Sequence, residues 1–214
     1  MTKNYISNKD ESVRMFNNDF LEKFSRVHWT VPLILFIPII LFFLYRTLFV
    51  FKIDFTQTIL LVALGLFVWT FTEYFLHRFI FHYEPSSKVG KRLHFMLHGV
   101  HHDYPKDSKR LVMVPTVSLP LASLFYILFL FIFDNVNVNP FFAGFLIGYL
   151  FYDITHYAIH HFNMHSKFWL FIKNHHMKHH YQADDKGFGV SQPLWDFVFG
   201  TDFTKAEREI KTNE

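Results

Sequence analysis

The sequence of 214 residues contains no cysteine. This absence excludes disulfide bonds, thiolate metal sites, iron–sulfur clusters and cysteine nucleophiles together. Any metal ion must therefore be bound through nitrogen or oxygen atoms. Charge is also scarce, since 18% of the residues are charged whereas 51% are hydrophobic and 21% are aromatic. This composition is too apolar for an ordinary soluble domain and indicates a membrane protein.

The sequence also lacks a recognisable removable signal peptide. Residues 1–28 are polar and charged, with no apolar run followed by a small-residue cleavage site. The apolar segments that follow are therefore expected to stay in the mature protein. Within this N-terminal arm, Phe16, Phe20 and Phe24 recur every four residues beside Leu21, which predicts an amphipathic helix. Such a helix could lie on the bilayer surface or cover the cytoplasmic domain, and both alternatives stay open.

Four later stretches are long and apolar enough to cross a hydrocarbon core, for which about 20 residues are needed. Short connections join the first to the second and the third to the fourth. We therefore predict an all-α integral membrane protein with four transmembrane helices in two hairpins, capped by a cytoplasmic helical region rich in histidine. Residues 29–204 would form this single domain, and 205–214 a polar tail. The predicted spans are about 31–51, 55–76, 111–133 and 138–160.

The positions of the basic residues predict the topology, because cytoplasmic flanks collect Lys and Arg. Five lie in the arm, seven in 78–110 and seven from Lys167 onward, which leaves only Arg46 and Lys52 on the other side. Both termini should thus be cytoplasmic, in the inner membrane of a bacterium or the endoplasmic reticulum of a eukaryote. The net charge of +3 is explained by lipid headgroups, and we predict no nucleic-acid partner.

Histidine is abundant, and most of the 15 residues stand in four clusters. In three clusters the spacing is three or four residues, so the rings would share one face of a helix. The first cluster is spaced by five residues, which places its rings about 140° apart on a regular α-helix. Either the helix ends within that cluster, or its two rings approach a metal from different sides. The clustered residues are His77, His82, His98, His101, His102, His156, His160, His176, His179 and His180.

Ten imidazoles packed at one membrane face predict metal binding. Without partners, buried polar groups would each cost about 1–3 kcal/mol. A structural zinc site needs four ligands, whereas ten suffice for two ions with a coordination position left for oxygen. Carboxylates near the clusters are few. Asp153 lies three residues before His156 and is a candidate to orient that imidazole. The other five histidines, His28, His94, His161, His165 and His175, are not predicted ligands.

These clusters and their flanking strings resemble the fatty acid hydroxylase and sterol desaturase superfamily of membrane enzymes. Within it, the likeness is greatest to the fatty acid 2-hydroxylases, which act on acyl chains destined for ceramide or carried by it. The likeness covers about residues 55–202. The strings are His98-Gly-Val-His-His-Asp-Tyr-Pro-Lys-Asp, Gly148-Tyr-Leu-Phe-Tyr-Asp-Ile-Thr-His-Tyr, Gly187-Phe-Gly-Val and Pro193-Leu-Trp-Asp-Phe-Val-Phe-Gly-Thr201.

The resemblance implies that all ten clustered histidines are metal ligands and that Tyr152 and Asp153 lie close to the metals as catalytic residues. It implies iron for activity, with zinc able to occupy the same site, and O₂ as co-substrate. The His-Pro-Gly-Gly haem motif of fused b-type cytochrome domains is absent from the sequence. Electrons are therefore expected from a separate b-type cytochrome, ferredoxin or reductase. Lys106, Lys109 and Arg110 could contact the substrate headgroup or simply be positive-inside charges.

Three other functions stay open from the sequence. A sister enzyme that hydroxylates or desaturates sterols or carotenoids would use the same histidine boxes. A membrane metal transporter would need ionisable residues at mid-membrane depth, and the second and third predicted spans show none there. A non-catalytic metal-binding membrane protein would bind the ions without forming an oxygen-dependent product.

Overall fold

A computed structural model describes residues 4–203, and within that range every regular element is a helix. The chain continues as π-helix directly after α2, α3 and α4, over Arg46–Val50, Leu76–Phe81 and Phe95–Gly99. The α-helices are α1 (Asp19–Phe24), α2 (Val31–Tyr45), α3 (Phe55–Phe75), α4 (Lys88–His94), α5 (Val100–Asp103), α6 (Pro115–Leu130), α7 (Val138–His161), α8 (Lys167–Tyr181) and α9 (Leu194–Phe199). The all-helical prediction is confirmed for the described residues.

The described residues form two compact units. The first, which we call the apolar unit, contains residues 14–72 and 112–154. The second, the histidine unit, contains residues 4–13, 73–111 and 155–203. Helices α3 and α7 each contribute residues to both units. The predicted division into arm, single domain and tail stays a prediction, and the tail at 205–214 lies outside the described residues.

Two helices in the described part of the chain are long and apolar enough to cross a membrane, Val31–Val50 and Phe55–Phe81. They leave large apolar side chains uncovered, with Ile34 67% and Leu60 63% exposed. Apolar surface of this extent is stable against lipid and unfavourable in water. These helices are those of a membrane protein. The third predicted span forms the shorter helix α6, and crossing by α6 and α7 stays a prediction.

The core of the apolar unit is α7, which packs directly against the backbone of α3. A Cβ atom on Gly65 would collide with the Phe141 carbonyl oxygen, and one on Gly144 would collide with the Val62 carbonyl oxygen. Small residues allow the backbones of two helices to approach this closely. Any larger residue at either position would collide with the backbone of the opposite helix, so this crossing requires glycine.

The N-terminal arm is divided between the two units. In the histidine unit, the amides of Ile6 and Ser7 donate to the Asp103 carbonyl at 2.9 and 3.1 Å. This part of the arm is a cover. In the apolar unit, the Asn18 side chain caps α1, and Phe20 on that helix is 69% exposed. The placement of α1 on the bilayer surface or over the cytoplasmic domain stays a prediction.

We expect Gly144→Ala to lower the thermal unfolding temperature of the protein in detergent. The added methyl group must push α3 and α7 apart, and overpacking of this kind costs about 1–3 kcal/mol. The matched control is Gly99→Ala, whose new methyl would have its nearest neighbours at 3.5 Å or more. Gly99→Ala should unfold at the wild-type temperature or slightly above it. An unchanged unfolding temperature for Gly144→Ala would contradict the close helix crossing.

Candidate metal centre

The ten clustered histidines converge in two groups within the histidine unit. In each group the candidate ligand nitrogens all lie within 4.8 Å of one another. All the rings are buried except those of His82 and His102, which are half-buried. The first histidine group contains His77, His82, His98, His102 and His179, and the second contains His101, His156, His160, His176 and His180.

A π-helical turn brings the two rings of the first cluster together. The chain is π-helical over Leu76–Phe81, and the His82 amide donates to the His77 carbonyl at 3.1 Å. A hydrogen bond from residue i+5 to residue i makes residues five apart neighbours on successive turns. The Nε2 atoms of the two rings are consequently 3.2 Å apart. The α-helical geometry behind the two alternatives for this cluster does not apply here.

Two of the other clusters contain three predicted ligands each. Each of these two clusters contributes rings to both histidine groups. His98 and His102 belong to the first group, whereas His101 between them belongs to the second. On α8, His179 belongs to the first group and its neighbour His180 to the second. The His102 and His180 rings stack with their centroids 4.3 Å apart. The two groups are therefore adjacent.

Two backbone carbonyls fix the tautomers of rings in the first group. His77 Nδ1 lies 2.6 Å from the Phe188 carbonyl oxygen, and His179 Nδ1 lies 2.6 Å from the Lys186 carbonyl oxygen. A carbonyl oxygen can only accept, so both Nδ1 atoms hold the proton and both Nε2 atoms present a lone pair. His77 Nε2 faces His98 Nε2 at 3.1 Å, and His179 Nε2 is buried without a hydrogen-bond partner among the described residues. A cation between these lone pairs satisfies them, so the donor set fits a metal ion.

The second group is packed as tightly. Its Nε2 atoms lie 2.9 Å apart for His101 and His156, 3.0 Å for His160 and His176, and 3.1 Å for His176 and His180. The Nδ1 atoms of His160, His176 and His180 are buried and have no hydrogen-bond partner in the part of the chain that the structure describes. Five imidazole nitrogens suit zinc and iron alike. Coordination by the ten residues stays a prediction.

The environment keeps the imidazoles neutral. Burial first, and then repulsion from neighbouring imidazoles, lowers the pKa of His82 to about 2. Burial also lowers the pKa of His179 to about 4, although the hydrogen bond to the Lys186 carbonyl opposes the shift. Neutral imidazole is the form that binds a metal ion. Burial and neighbouring rings likewise hold the pKa well below its usual range for His98, His101, His102, His176 and His180.

Two buried carboxylates that sequence reasoning did not assign lie in this unit. Glu73 accepts hydrogen bonds from the amides of Val190 and Ser191 at 2.8 and 2.7 Å. Asp196 accepts from the two amides that precede these in the chain, at 2.9 and 2.7 Å. Each carboxylate stands inside an apolar helical run, Asp196 within Leu194–Phe199. A buried acidic side chain in such a run must be paired or hydrogen-bonded. An acidic residue within an apolar run was therefore the feature of the sequence that could have identified both residues.

The two predicted catalytic residues are buried on α7. Tyr152 is 7% exposed and Asp153 1% exposed. The Asp153 carboxylate accepts hydrogen bonds from the Met113 amide and the Tyr149 hydroxyl, both at 3.2 Å. Asp153 precedes His156 by one helical turn. Its orientation of that imidazole, and the catalytic role of both residues, stay predictions.

Two of the three basic residues considered for headgroup contact have partners inside the protein. Lys106 Nζ donates to the His160 carbonyl at 2.6 Å. Arg110 is buried, and its guanidinium lies 3.4 Å from the Asp107 carboxylate. These contacts favour structural roles for Lys106 and Arg110.

The five histidines that were not predicted as ligands lie outside both groups. His175 Nε2 lies 3.1 Å from the Asp196 carboxylate, and the His161 ring stacks on Tyr157 with centroids 4.5 Å apart. The division into ten clustered and five separate histidines agrees with the spacing argument.

Comparison with known proteins identifies the family. The fatty acid hydroxylase family model matches residues 62–201. The chain is 37% identical over 201 residues to a dihydroceramide fatty acyl 2-hydroxylase of Arabidopsis thaliana, covering 93% of this chain and 84% of the plant protein. It is also 37% identical over 209 residues to the fatty acid 2-hydroxylase of Rattus norvegicus, covering 88% of this chain. The match spans 56% of the rat protein, little more than half its length.

A solved structure has the same architecture. It is that of full-length Scs7p, in which only the hydroxylase domain is visible. The two structures superpose with a TM-score of 0.82 at 37% sequence identity, over 87% of this chain and 70% of the Scs7p chain. Given the family match, the identity to these relatives and the shared fold, the chain belongs to the fatty acid hydroxylase family and is an oxidoreductase of the hydroxylase type.

Proposed function

We propose that this chain hydroxylates carbon 2 of a long fatty acyl chain, as the free acid or within ceramide or another sphingolipid. One atom of O₂ would enter the C–H bond, and two electrons and two protons would reduce the other atom to water. The two histidine groups would each hold one metal ion, iron for activity, with zinc able to take its place. The observation that supports this most is the convergence of ten imidazoles in a chain related to acyl 2-hydroxylases.

The protein itself would contribute the positions of the metal ligands. Bound metal ions would supply the oxygen-activating redox chemistry that no side chain provides. The five imidazoles of each histidine group would hold its ion through nitrogen donors. Because the rings are neutral and buried, they would bind without proton competition near physiological pH.

An apolar groove in the apolar unit fits an acyl tail. It has a volume of about 310 Å³ and lies between α2, α6 and α7, with Phe36, Ala122 and Leu146 among its lining residues. All of its lining side chains except that of Ser123 are hydrocarbon or aromatic, so a methylene chain would be held by burial alone. The groove shares Ala122 and Leu146 with a narrower cavity lined by Met113 and Tyr149.

Two hydrogen-bond partners of Asp153 line the narrower cavity. Met113 and Tyr149 line that cavity and both donate hydrogen bonds to the Asp153 carboxylate. Asp153 is one turn of α7 before His156. Asp153 and Tyr152 would act on the reacting end of the acyl chain.

The electron source and the topology complete the proposal. An external b-type cytochrome, ferredoxin or reductase would deliver the electrons. Four spans would place both termini and the metal centre on the cytoplasmic side, in a bacterial inner membrane or the endoplasmic reticulum. The distribution of basic residues supports this orientation.

Expression in a host without 2-hydroxy lipids should add a 2-hydroxyl group to long acyl chains. Growth under ¹⁸O₂ should label that oxygen, as measured by lipid mass spectrometry. His176→Ala removes a donor from the second group and should reduce the product to background. The control His28→Ala changes a histidine outside both groups and should keep the wild-type amount. Labelled sterol or carotenoid products without labelled acyl chains would identify a sister enzyme and refute this substrate.

Metal analysis of the purified chain should find two ions. His102→Ala weakens only the first histidine group and His160→Ala only the second, so each variant should retain about one ion. Inductively coupled plasma mass spectrometry with protein quantitation measures the ratio. Loss of both ions from each variant would contradict two separately built groups.

Filling the groove should shorten the acyl chains that are hydroxylated. Ala122→Phe places a phenyl ring in the groove, so the ratio of longer to shorter 2-hydroxy chains should fall several-fold relative to the wild type. Leu124→Phe is the matched control, because Leu124 on the same helix is 62% exposed and does not line the groove. An identical chain-length profile for Ala122→Phe and Leu124→Phe would refute the groove as the acyl site.

A further inference from the structure

The loop Lys186–Ser191, which we call the carbonyl loop, lies against the first histidine group. Its Phe188 carbonyl accepts the Nδ1 proton of His77, and its Lys186 carbonyl accepts that of His179. The Phe188 ring also contacts the His82 ring, with centroids 5.4 Å apart. Three of the five rings of the first group therefore contact this one loop.

Two buried carboxylates hold the carbonyl loop by its amides. Asp196 is fully buried and accepts from Phe188 and Gly189, while Glu73 is 3% exposed and accepts from Val190 and Ser191. Four successive amides are thus bound by two side chains.

Further contacts lock Asp196 in place. The Thr201 hydroxyl donates to its carboxylate at 2.7 Å, and His175 Nε2 lies 3.1 Å from its other oxygen. The Gly187 amide in turn donates to the Thr201 carbonyl at 2.8 Å, and Gly187 adopts a φ of +70° that favours glycine. The loop therefore has one conformation imposed from both ends.

We infer that Asp196 and Glu73 are positioning residues for the metal centre. By holding the carbonyl loop, they aim its two carbonyls at His77 and His179 and so keep the Nε2 lone pairs of both rings directed at one ion. This inference rests on the metal centre of the proposed function. Outer partners of this kind change metal affinity about 10–100-fold when they are removed.

The effect should be confined to one of the two ions. The two hydrogen bonds that the carbonyl loop accepts from imidazoles come from His77 and His179 among the described contacts. Both rings belong to the first histidine group. In the second group, the Nδ1 atoms of His160, His176 and His180 have no partner there. Disturbing the loop should therefore weaken the binding of one ion and leave the binding of the other unchanged. A general loss of stability would weaken the binding of both.

The test is zinc competition on the purified full chain with Asp196→Asn. Asparagine keeps the shape of the side chain but replaces one accepting oxygen with a donor that faces a backbone amide. Titration of the zinc-loaded protein with a chromophoric chelator should show one ion held with wild-type affinity and the other about 10–100-fold more weakly. The control Asp185→Asn removes the same charge at an exposed position nearby and should hold both ions as the wild type does.

Two results would overturn the inference. One is wild-type affinity for both ions in Asp196→Asn, and the other is equal weakening of both. If Asp196→Asn does not fold, Thr201→Val decides the matter, because it keeps the Asp196 carboxylate and removes only the Thr201 hydroxyl, which bonds to Asp196 and to Tyr74. Thr201→Val should weaken the same single ion by a smaller factor, and the absence of that selectivity would refute the inference.

The zinc titration is independent of oxygenation. A wild-type chain that binds two zinc ions but forms no 2-hydroxy lipid would refute the proposed function and leave the positioning role testable. A wild-type chain that binds fewer than two zinc ions would refute the two-ion centre itself, and with it the inference.

Discussion

The structure depends on the convergence of buried imidazole nitrogens. Lone pairs at about 3 Å from one another are unfavourable in an apolar interior unless a cation lies between them. The histidine unit is built around this requirement. A π-helical turn brings His77 beside His82, two helices divide their rings between the groups, and burial keeps the rings neutral. The carbonyl loop then supplies the outer acceptors that a ligand ring needs.

The apolar unit meets a different constraint, which is the close packing of two long helices. Glycine at positions 65 and 144 lets α3 and α7 pack backbone against backbone, so dispersion contacts between them are extensive. The same two helices continue into ligand-bearing turns, α3 toward His77 and α7 through His156 and His160. Helices α3 and α7 therefore need small residues where they cross and histidine near their ends.

Family membership and substrate rest on different observations. The family match and the shared architecture with Scs7p assign the hydroxylase class. The proposed acyl substrate is instead supported by the apolar groove between α2, α6 and α7. Such a groove would hold a tail by burial and would select it by shape and length. Recognition of the headgroup would require polar contacts, and Lys106 and Arg110 already have partners within the protein.

The sequence by itself determined the helical class, the absence of thiolate metal ligands and the set of ten clustered histidines, because composition and helical spacing are local properties. His98, His101 and His102 illustrate the limit. Their spacing predicts one shared face, whereas the division of that face between two groups depends on which distant rings approach it. Only the tertiary structure showed the π-turn at His77, since it is a departure from regular geometry. The roles of Glu73 and Asp196 likewise needed the fold, because their amide partners lie up to 118 residues away in the chain.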